Sequence, residues 1–217
     1  MQKSSSFKNL KPVIAIDGTA GSGKGTLAKK LANFIEFDHL DTGILYRICA
    51  LEMLERKVNL VDVDIASWLN NNKDLSILRS EKVSKETSKI SRDPKVRKFL
   101  LKFQRDFGDS PPNGLGSVID GRDIGSVVFP NAEIKFYIDA SPIIRAKRRL
   151  KELSLELSDY PKILENIIER DRQDKLRKIS PLVKTKSAFP IDSSNLDIEG
   201  VLKYAINILK KNTEFIK

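Results

Sequence analysis

Apolar positions along the chain fall into two kinds of segment. Five short runs are apolar almost without interruption: Pro12–Asp17 (PVIAID), Phe37–Asp41 (FDHLD, the weakest), Ser117–Asp120 (SVID), Ile134–Ala140 (IKFYIDA) and Phe189–Asp192 (FPID). Continuous rather than alternating hydrophobicity suits strands covered on both faces, as in a parallel sheet. Elsewhere the period lengthens to that of helices, over roughly 24–36, 43–57, 62–72, 80–90, 94–107, 142–155, 161–178 and 197–211. Asp93-Pro94 reads as a helix start with proline in the first turn, and PPNG at 111–114 as a surface turn before the third strand. Strand alternating with helix predicts a doubly wound α/β sheet. Residues 42–110 hold no good strand, so the pattern predicts a helical appendage set between two strands of one sheet.

Composition narrows the chemistry. The chain has 217 residues, 40% hydrophobic and 31% charged, enough for one large domain with a core that needs no disulfide staples. A single cysteine, Cys49, excludes an internal disulfide framework and a Cys-rich zinc site, and a single histidine, His39, excludes metal motifs that need two. His39 sits in FDHLD and the chain has no nucleophile elbow, which argues against a Ser-His-Asp hydrolase. Cys49 follows helical spacing after Tyr46 and reads as a small core residue, and Trp68 as packing under the appendage. No stretch approaches the ~18 to 20 apolar residues of a membrane span. The opening MQKSSSFKNLK is cationic, but PVIAID after it is too short for a signal-peptide core, so it reads as a frayed leader and a cytoplasmic location is expected. A net charge of +10 makes anionic partners the expectation.

The strongest chemical signal follows the first strand. Gly18-Thr19-Ala20-Gly21-Ser22-Gly23-Lys24-Gly25-Thr26 runs straight into a helical pattern, LAKKLANFI. Glycines at 18, 21 and 23 let the chain wrap so that successive N–H groups point at phosphate oxygens, and the next helix turns its positive end to the same anion. Lys24 is placed to reach the terminal phosphates. Where Ser or Thr usually follows that lysine, this chain has Gly25, with Thr26 one later. A loop hydroxyl is therefore a weak candidate for holding magnesium, and Asp120, ending the strand SVID, is the better one, directly or through water.

Three further segments narrow the substrate: Asp41-Thr42-Gly43-Ile44-Leu45-Tyr46-Arg47, Asp120-Gly121-Arg122-Asp123-Ile124-Gly125-Ser126-Val127-Val128-Phe129-Pro130, and Arg170-Asp171-Arg172-Gln173-Asp174-Lys175-Leu176-Arg177. Arg170, Asp174 and Arg177 fall at i, i+4 and i+7, one stripe of one helix, which alone reads as a solvated face of self-pairing charges. With the phosphate loop and its GKGT ending, these segments resemble the bacterial cytidylate (CMP/dCMP) kinases among the nucleoside monophosphate kinases. The resemblance spans about residues 12 to 205, and DTGxLYR with DGRDIGSVVFP is far more specific than the loop.

The resemblance implies reversible transfer of the ATP γ-phosphoryl to CMP or dCMP, with Mg2+ accompanying ATP. It implies a five-stranded parallel sheet flanked by helices, with core 10–41, 111–142 and 187–217, a nucleotide-binding appendage at 42–110 and a helical lid at 143–186. Carried over by motif position, Lys24, Arg122 and Arg177 would be catalytic, and Arg47, Arg122 and Arg177 would grip the acceptor phosphate with Arg170 nearby. Thr42, Arg97 and Asp123 would read the cytosine edge, while Ser88 and Asp174 would hold the sugar. Gly18 to Thr26 would hold the ATP phosphates, with Arg145 and Arg149 closing on them. A monomer acting on small nucleotides, with no nucleic-acid or membrane partner, is the expectation. Such a transfer is mostly positioning and cationic stabilisation and needs no covalent nucleophile.

Two departures stand out. Bacterial members usually carry a small β-rich insertion in the appendage, whereas here Asn70-Asn71-Asn72-Lys73-Asp74 runs almost directly into the helix near Arg79. Positions 173 and 175 are Gln and Lys where the family often has Arg. Residues 145–186 nonetheless hold 13 Lys and Arg against 7 Asp and Glu, as a lid over phosphates requires. The rival for this charge is a nucleic-acid face on a nucleotide-driven module, but no base-stacking aromatic platform accompanies it. Kinases of AMP, UMP or shikimate share the loop without the other two motifs.

Overall fold

A computed structural model describes residues 11–55, 57–71 and 75–214. The leader reading for residues 1–10 and the Asn72–Asp74 part of the asparagine run lie outside the described residues. The elements, in chain order, are β1 (Val13–Gly18), α1 (Lys24–Ile35), β2 (Asp38–Asp41), α2 (Thr42–Glu55), α3 (Ile65–Asn71), α4 (Glu81–Ile90), α5 (Pro94–Asp109), β3 (Ser117–Gly121), β4 (Ile134–Asp139), α6 (Pro142–Glu152), α7 (Tyr160–Leu176), β5 (Phe189–Asp192) and α8 (Ile198–Asn212). All five strands run parallel in one sheet of order β2-β3-β1-β4-β5.

The central strand explains the pattern that announced it. Successive side chains of β1 point to opposite faces, and both faces are covered. Val13 and Ala15 join the cluster built with Leu45, Ile48 and Cys49 of α2, Val83 of α4 and Leu100 of α5. Ile14 and Ile16 join Leu27, Ala28 and Leu31 of α1 and Val201, Ala205 and Leu209 of α8. Fully burying side chains of this size stabilises by about 1.5 to 3 kcal/mol each, which is why a six-residue run suffices to set the strand. The weak run FDHLD forms the edge strand β2, pairing β3 from Asp38 opposite Ser117 to Asp41 opposite Asp120. An edge needs less apolar surface, and its polar sequence fits that place.

Cys49 is fully buried in α2 and Trp68 is buried in α3, as expected. Between β2 and β3 the described chain is helical. Helix boundaries differ from expectation in two informative places. The segment expected over 62–72 opens with a single 3-10 turn, Leu60–Asp62, before α3. More consequentially, α7 stops at Leu176, and Arg177 is extended at φ −63° and ψ 141°. Arg177 therefore stands just past the helix, and only Arg170 and Asp174 of the expected stripe share it. The helix pair α6 and α7 has a small core of its own, Ala146 with Ile163 and Ile167. Among the described residues no helix is long and apolar enough to cross a membrane.

Candidate active site

In open parallel sheets ligands bind beyond the carboxyl ends of the strands. Here those ends are acidic: Asp17 on β1, Asp41 on β2, Asp120 on β3, Asp139 on β4 and Asp192 on β5.

The glycine loop leaves β1 at Gly18 and enters α1 at Lys24. A side chain at Gly18 would put Cβ 2.1 Å from the Ile138 carbonyl oxygen, and Gly23 has φ 91°, so both positions need glycine. The loop is fastened from behind. Thr19 Oγ1 donates to Asp139 Oδ1 at 2.6 Å, Ser22 Oγ to the Thr19 carbonyl at 2.9 Å, and Ser193 Oγ to the Ser22 carbonyl at 2.7 Å. Among the described residues, none of the backbone N–H groups of Ala20, Gly21, Ser22, Gly23, Lys24, Gly25 and Thr26 has an acceptor within the protein. A loop whose carbonyls are tied down and whose N–H groups are free is an anion cradle.

Arg145 departs from its expected role. It is 2% exposed, and its guanidinium donates to the Ala140 carbonyl, to the Ala20 carbonyl at 3.1 Å, and as a fork to the Asp171 carboxylate. With every arm engaged it braces the loop from behind and is not free to close over phosphates. Arg149, one turn on, is half-buried, pairs with Glu152 at 2.9 Å and reaches the Arg79 carbonyl of the appendage at 3.5 Å.

The second half of the site is the DGRDIG turn after β3. Asp17 is buried and accepts the Ile124 and Gly125 N–H groups at 2.8 and 2.7 Å. Its carboxyl is pushed up to about 6, burial outweighing those two bonds. The turn so held carries Arg122 and Asp123, each paired with a different partner. Asp123 is ion-paired with Arg97, whose guanidinium lies over the Tyr46 ring at 5.6 Å from its centroid, and Arg177 Nη2 stands 3.7 Å from the other Asp123 oxygen. Arg122 Nε donates to Asp174 Oδ2 at 2.9 Å, and Arg177 Nη1 lies 3.7 Å from Asp174 Oδ1. Burial would raise the Asp174 carboxyl, but Arg122, Arg170 and Arg177 together hold it below its ordinary value.

Cations crowd this space beyond what its carboxylates need. Burial lowers Lys24 to about 8, with Arg122 adding to the fall and Asp120 and Asp41 opposing it. Burial and Arg122 bring Arg170 down to about 10. Arg47 is lowered by burial and by Arg149, Arg79 and Arg122, while its Nη1 rests on the Leu78 carbonyl and Ser84 Oγ. Such convergence of cations marks a site shaped for a polyanion.

Other expected residues sit as follows. Thr42 is buried and donates to the Asp120 carbonyl at 2.8 Å, leaving its oxygen lone pairs to accept. Ser88, half-buried on α4, donates to the Ser84 carbonyl at 3.2 Å. Asp120 is buried beside Gly25, accepts from His39 Nε2 at 2.9 Å in the tautomer that carries the proton there, and stands next to Asp41 on the paired strand. Burial and Asp120 raise the Asp41 carboxyl. Two adjacent carboxylates that repel in this way suit a divalent cation. Among the described residues no group of three or more His, Cys, Asp or Glu gathers as a metal cage, so Mg2+ would draw its remaining ligands from phosphate and water, as that ion commonly does.

Asp17, Asp41, Asp139 and Asp171 were not singled out from the sequence. For the first three a signal existed: Asp17 and Asp41 close runs read as strands and Asp139 is the last residue but one of its run, at the end a parallel sheet turns toward its ligand. Asp171 lies inside the quoted RDRQDKLR segment, but nothing local shows that it faces Arg145.

Comparison with known proteins agrees with this geometry. Residues 14–211 match the cytidylate kinase family model. The chain is 44% identical over 205 residues to a cytidylate kinase of Rhodopseudomonas palustris, covering 91% of this chain and 95% of that one. It is 42% identical to one of Bradyrhizobium diazoefficiens with the same coverage. Among solved structures, a shikimate kinase from Bacteroides thetaiotaomicron superposes with a TM-score of 0.52 at 11% identity, covering 92% of this chain and 98% of that one. At that identity the likeness speaks to the fold, a parallel sheet shared with phosphate-loop kinases. The chain belongs to the cytidylate kinase family.

Proposed function

We propose that the protein transfers the γ-phosphoryl of ATP to CMP or dCMP, reversibly, giving ADP with CDP or dCDP. The observation that carries this reading is the juxtaposition of two halves: a loop with seven free N–H groups from Ala20 to Thr26, and a turn pairing Arg122 with Asp123 beside Arg97. The first suits a triphosphate, the second a phosphate attached to a base with one donor and adjacent acceptors.

The loop from Gly18 to Thr26 binds the ATP phosphates, and Lys24, Arg122 and Arg177 stabilise the charge on the transferring group. Arg47 and Arg170 hold the acceptor phosphate with them. Arg149 closes from α6, while Arg145 stiffens the loop. Thr42, Arg97 and Asp123 read the base, and Ser88 and Asp174 take the sugar. Mg2+ would be held by Asp120, with Asp41 beside it, and would neutralise phosphate charge. Exclusion of water by the lid strengthens each of these interactions and prevents hydrolysis of ATP. The enzyme works as a cytoplasmic monomer on free nucleotides, without nucleic acid or membrane.

The test is ADP release from ATP and Mg2+ with CMP, dCMP, UMP, AMP or no acceptor in parallel. CMP and dCMP should be the best acceptors and the blank nearly silent. Equal rates with AMP, or release independent of acceptor, would contradict the reading.

A further inference from the structure

We infer that Asp17 is a positioning residue for the acceptor: through the Ile124 and Gly125 N–H groups it sets where Arg122 and Asp123 stand relative to the phosphate loop. This rests on the base- and phosphate-binding roles given above to Asp123 and Arg122. The role of Asp17 itself follows from geometry. It is the penultimate residue of β1, directly before Gly18, so its backbone belongs to the donor side. Its side chain crosses to the acceptor side, receiving Ile124 N–H on Oδ1 at 2.8 Å and Gly125 N–H on Oδ2 at 2.7 Å, 107 and 108 residues away.

Those two N–H groups are the first two after Asp123. They open a five-residue π-helical turn, Ile124–Val128, whose own bonds run from Val127 and Val128 N–H back to the Asp123 carbonyl. Asp123 itself has φ −143° and ψ 23°, a conformation the turn must hold because no regular element does. Only a carboxylate accepts two adjacent, near-parallel N–H groups through two oxygens at once. The cost is visible, since burial pushes the Asp17 carboxyl up to about 6, and its charged neighbours Asp123 and Arg122 pull in opposite directions. A buried charge kept ionised at neutral pH, where a neutral residue would be easier to bury, is spent on holding that turn.

Asp17→Asn keeps the shape but turns an amide donor toward one of the two N–H groups, so the turn must shift. In-line transfer tolerates little misplacement, and about 1 Å can cost on the order of a hundredfold. We expect the KM for CMP to rise about tenfold or more and the CMP-to-UMP ratio in kcat/KM to fall at least about fivefold. The KM for ATP should stay within about twofold, because the loop N–H groups are untouched. Asp17→Glu, which keeps the charge and moves it by one methylene, should show the same split. Two results would overturn the inference. One is an unchanged KM for CMP and unchanged base ratio in a folded variant. The other is a uniform loss for ATP and CMP alike, or failure of both variants to fold, which would make Asp17 a support of β1 only. If wild-type enzyme shows no preference for CMP over UMP, the base-reading role of Asp123 fails on its own. The Asp17 inference is then judged by the split between the two KM values, which works through Arg122.

Discussion

Arg145 and Asp171 form a buried, forked ion pair across 26 residues, from α6 to α7. The same guanidinium reaches the Ala20 carbonyl at 3.1 Å, so one side chain joins α6, α7 and the phosphate loop. Removing one partner of a buried pair typically costs about 3 to 5 kcal/mol, because the other charge stays unpaired. Arg145→Ala should therefore lower Tm by roughly 6 to 20 °C for a chain of this size, and raise the KM for ATP as the loop loosens. Arg149→Ala, half-buried one turn along the same helix, should raise the KM for ATP with little change in Tm. Thermal melts and initial rates on both variants separate the bracing residue from the closing one.

Lys24 makes a prediction in which activity and stability move in opposite directions. Its ammonium is lowered to about 8 by burial, chiefly, and by Arg122. A lysine whose folded pKa lies below its free value of 10.5 adds its full stability only above 10.5, and that stability is lost as pH falls through about 8. At pH 7 the charged lysine thus destabilises the empty protein, by the order of 1 to 3 kcal/mol. Lys24→Met should raise the Tm of the nucleotide-free protein by a few degrees while cutting kcat about a hundredfold or more. In the wild type, kcat/KM for ATP should fall as pH rises through about 8, when the lysine loses its proton. A pH-rate profile that stays flat to pH 9 would detach Lys24 from the transfer.

Arg177 tests the acceptor cluster. One of its terminal nitrogens, Nη2, is buried without a hydrogen bond and lies 3.7 Å from Asp123, a charge held ready rather than consumed. Arg177→Ala should raise the KM for CMP and lower kcat, together by about a hundredfold in kcat/KM, with Tm within a few degrees of wild type. Unfolding with undiminished specific activity in the folded fraction would make Arg177, Asp174 and Asp123 a structural network instead.

The sheet was legible because β1 and β3 are buried along their whole length and show it as apolar runs, while β4 keeps one fully buried face, Ile134, Phe136 and Ile138. Even the weak run FDHLD could be placed, since a strand must lead into the helix that opens DTGILYR. Periodicity could not show where long side chains end. Arg145 and Arg149 are one turn apart and look alike in sequence, yet one is 2% exposed behind the loop and the other is half-buried between Glu152 and the Arg79 carbonyl. The partner that makes the difference, Asp171, lies on another helix. Asp17 is the same kind of case, its meaning residing in N–H groups more than a hundred residues away. The end of α7 was missed because DKLRK is good helix sequence. The chain leaves it there with Arg177 returning to donate to the Ser180 carbonyl and Leu182 N–H bonding the Asp174 carbonyl at 2.8 Å.

The choice of base tests the account most directly. Cytosine offers an amino donor beside ring acceptors, matching a carboxylate, Asp123, next to a guanidinium, Arg97. Uracil puts an oxygen where the amino group was, leaving the Asp123 carboxylate facing an acceptor in a dry pocket. That mismatch costs about 1 to 3 kcal/mol or more, and sites built around a substrate donor reject analogues that lack it. The measurement is the ratio of kcat/KM for CMP to that for UMP, in the wild type and in Asp123→Asn, whose amide can turn a donor toward the uracil oxygen. The wild-type ratio should be at least about a hundred, and the variant should narrow it at least about tenfold, mainly by weakening CMP. A wild-type ratio near one, or a large ratio that Asp123→Asn leaves unchanged, would contradict the account.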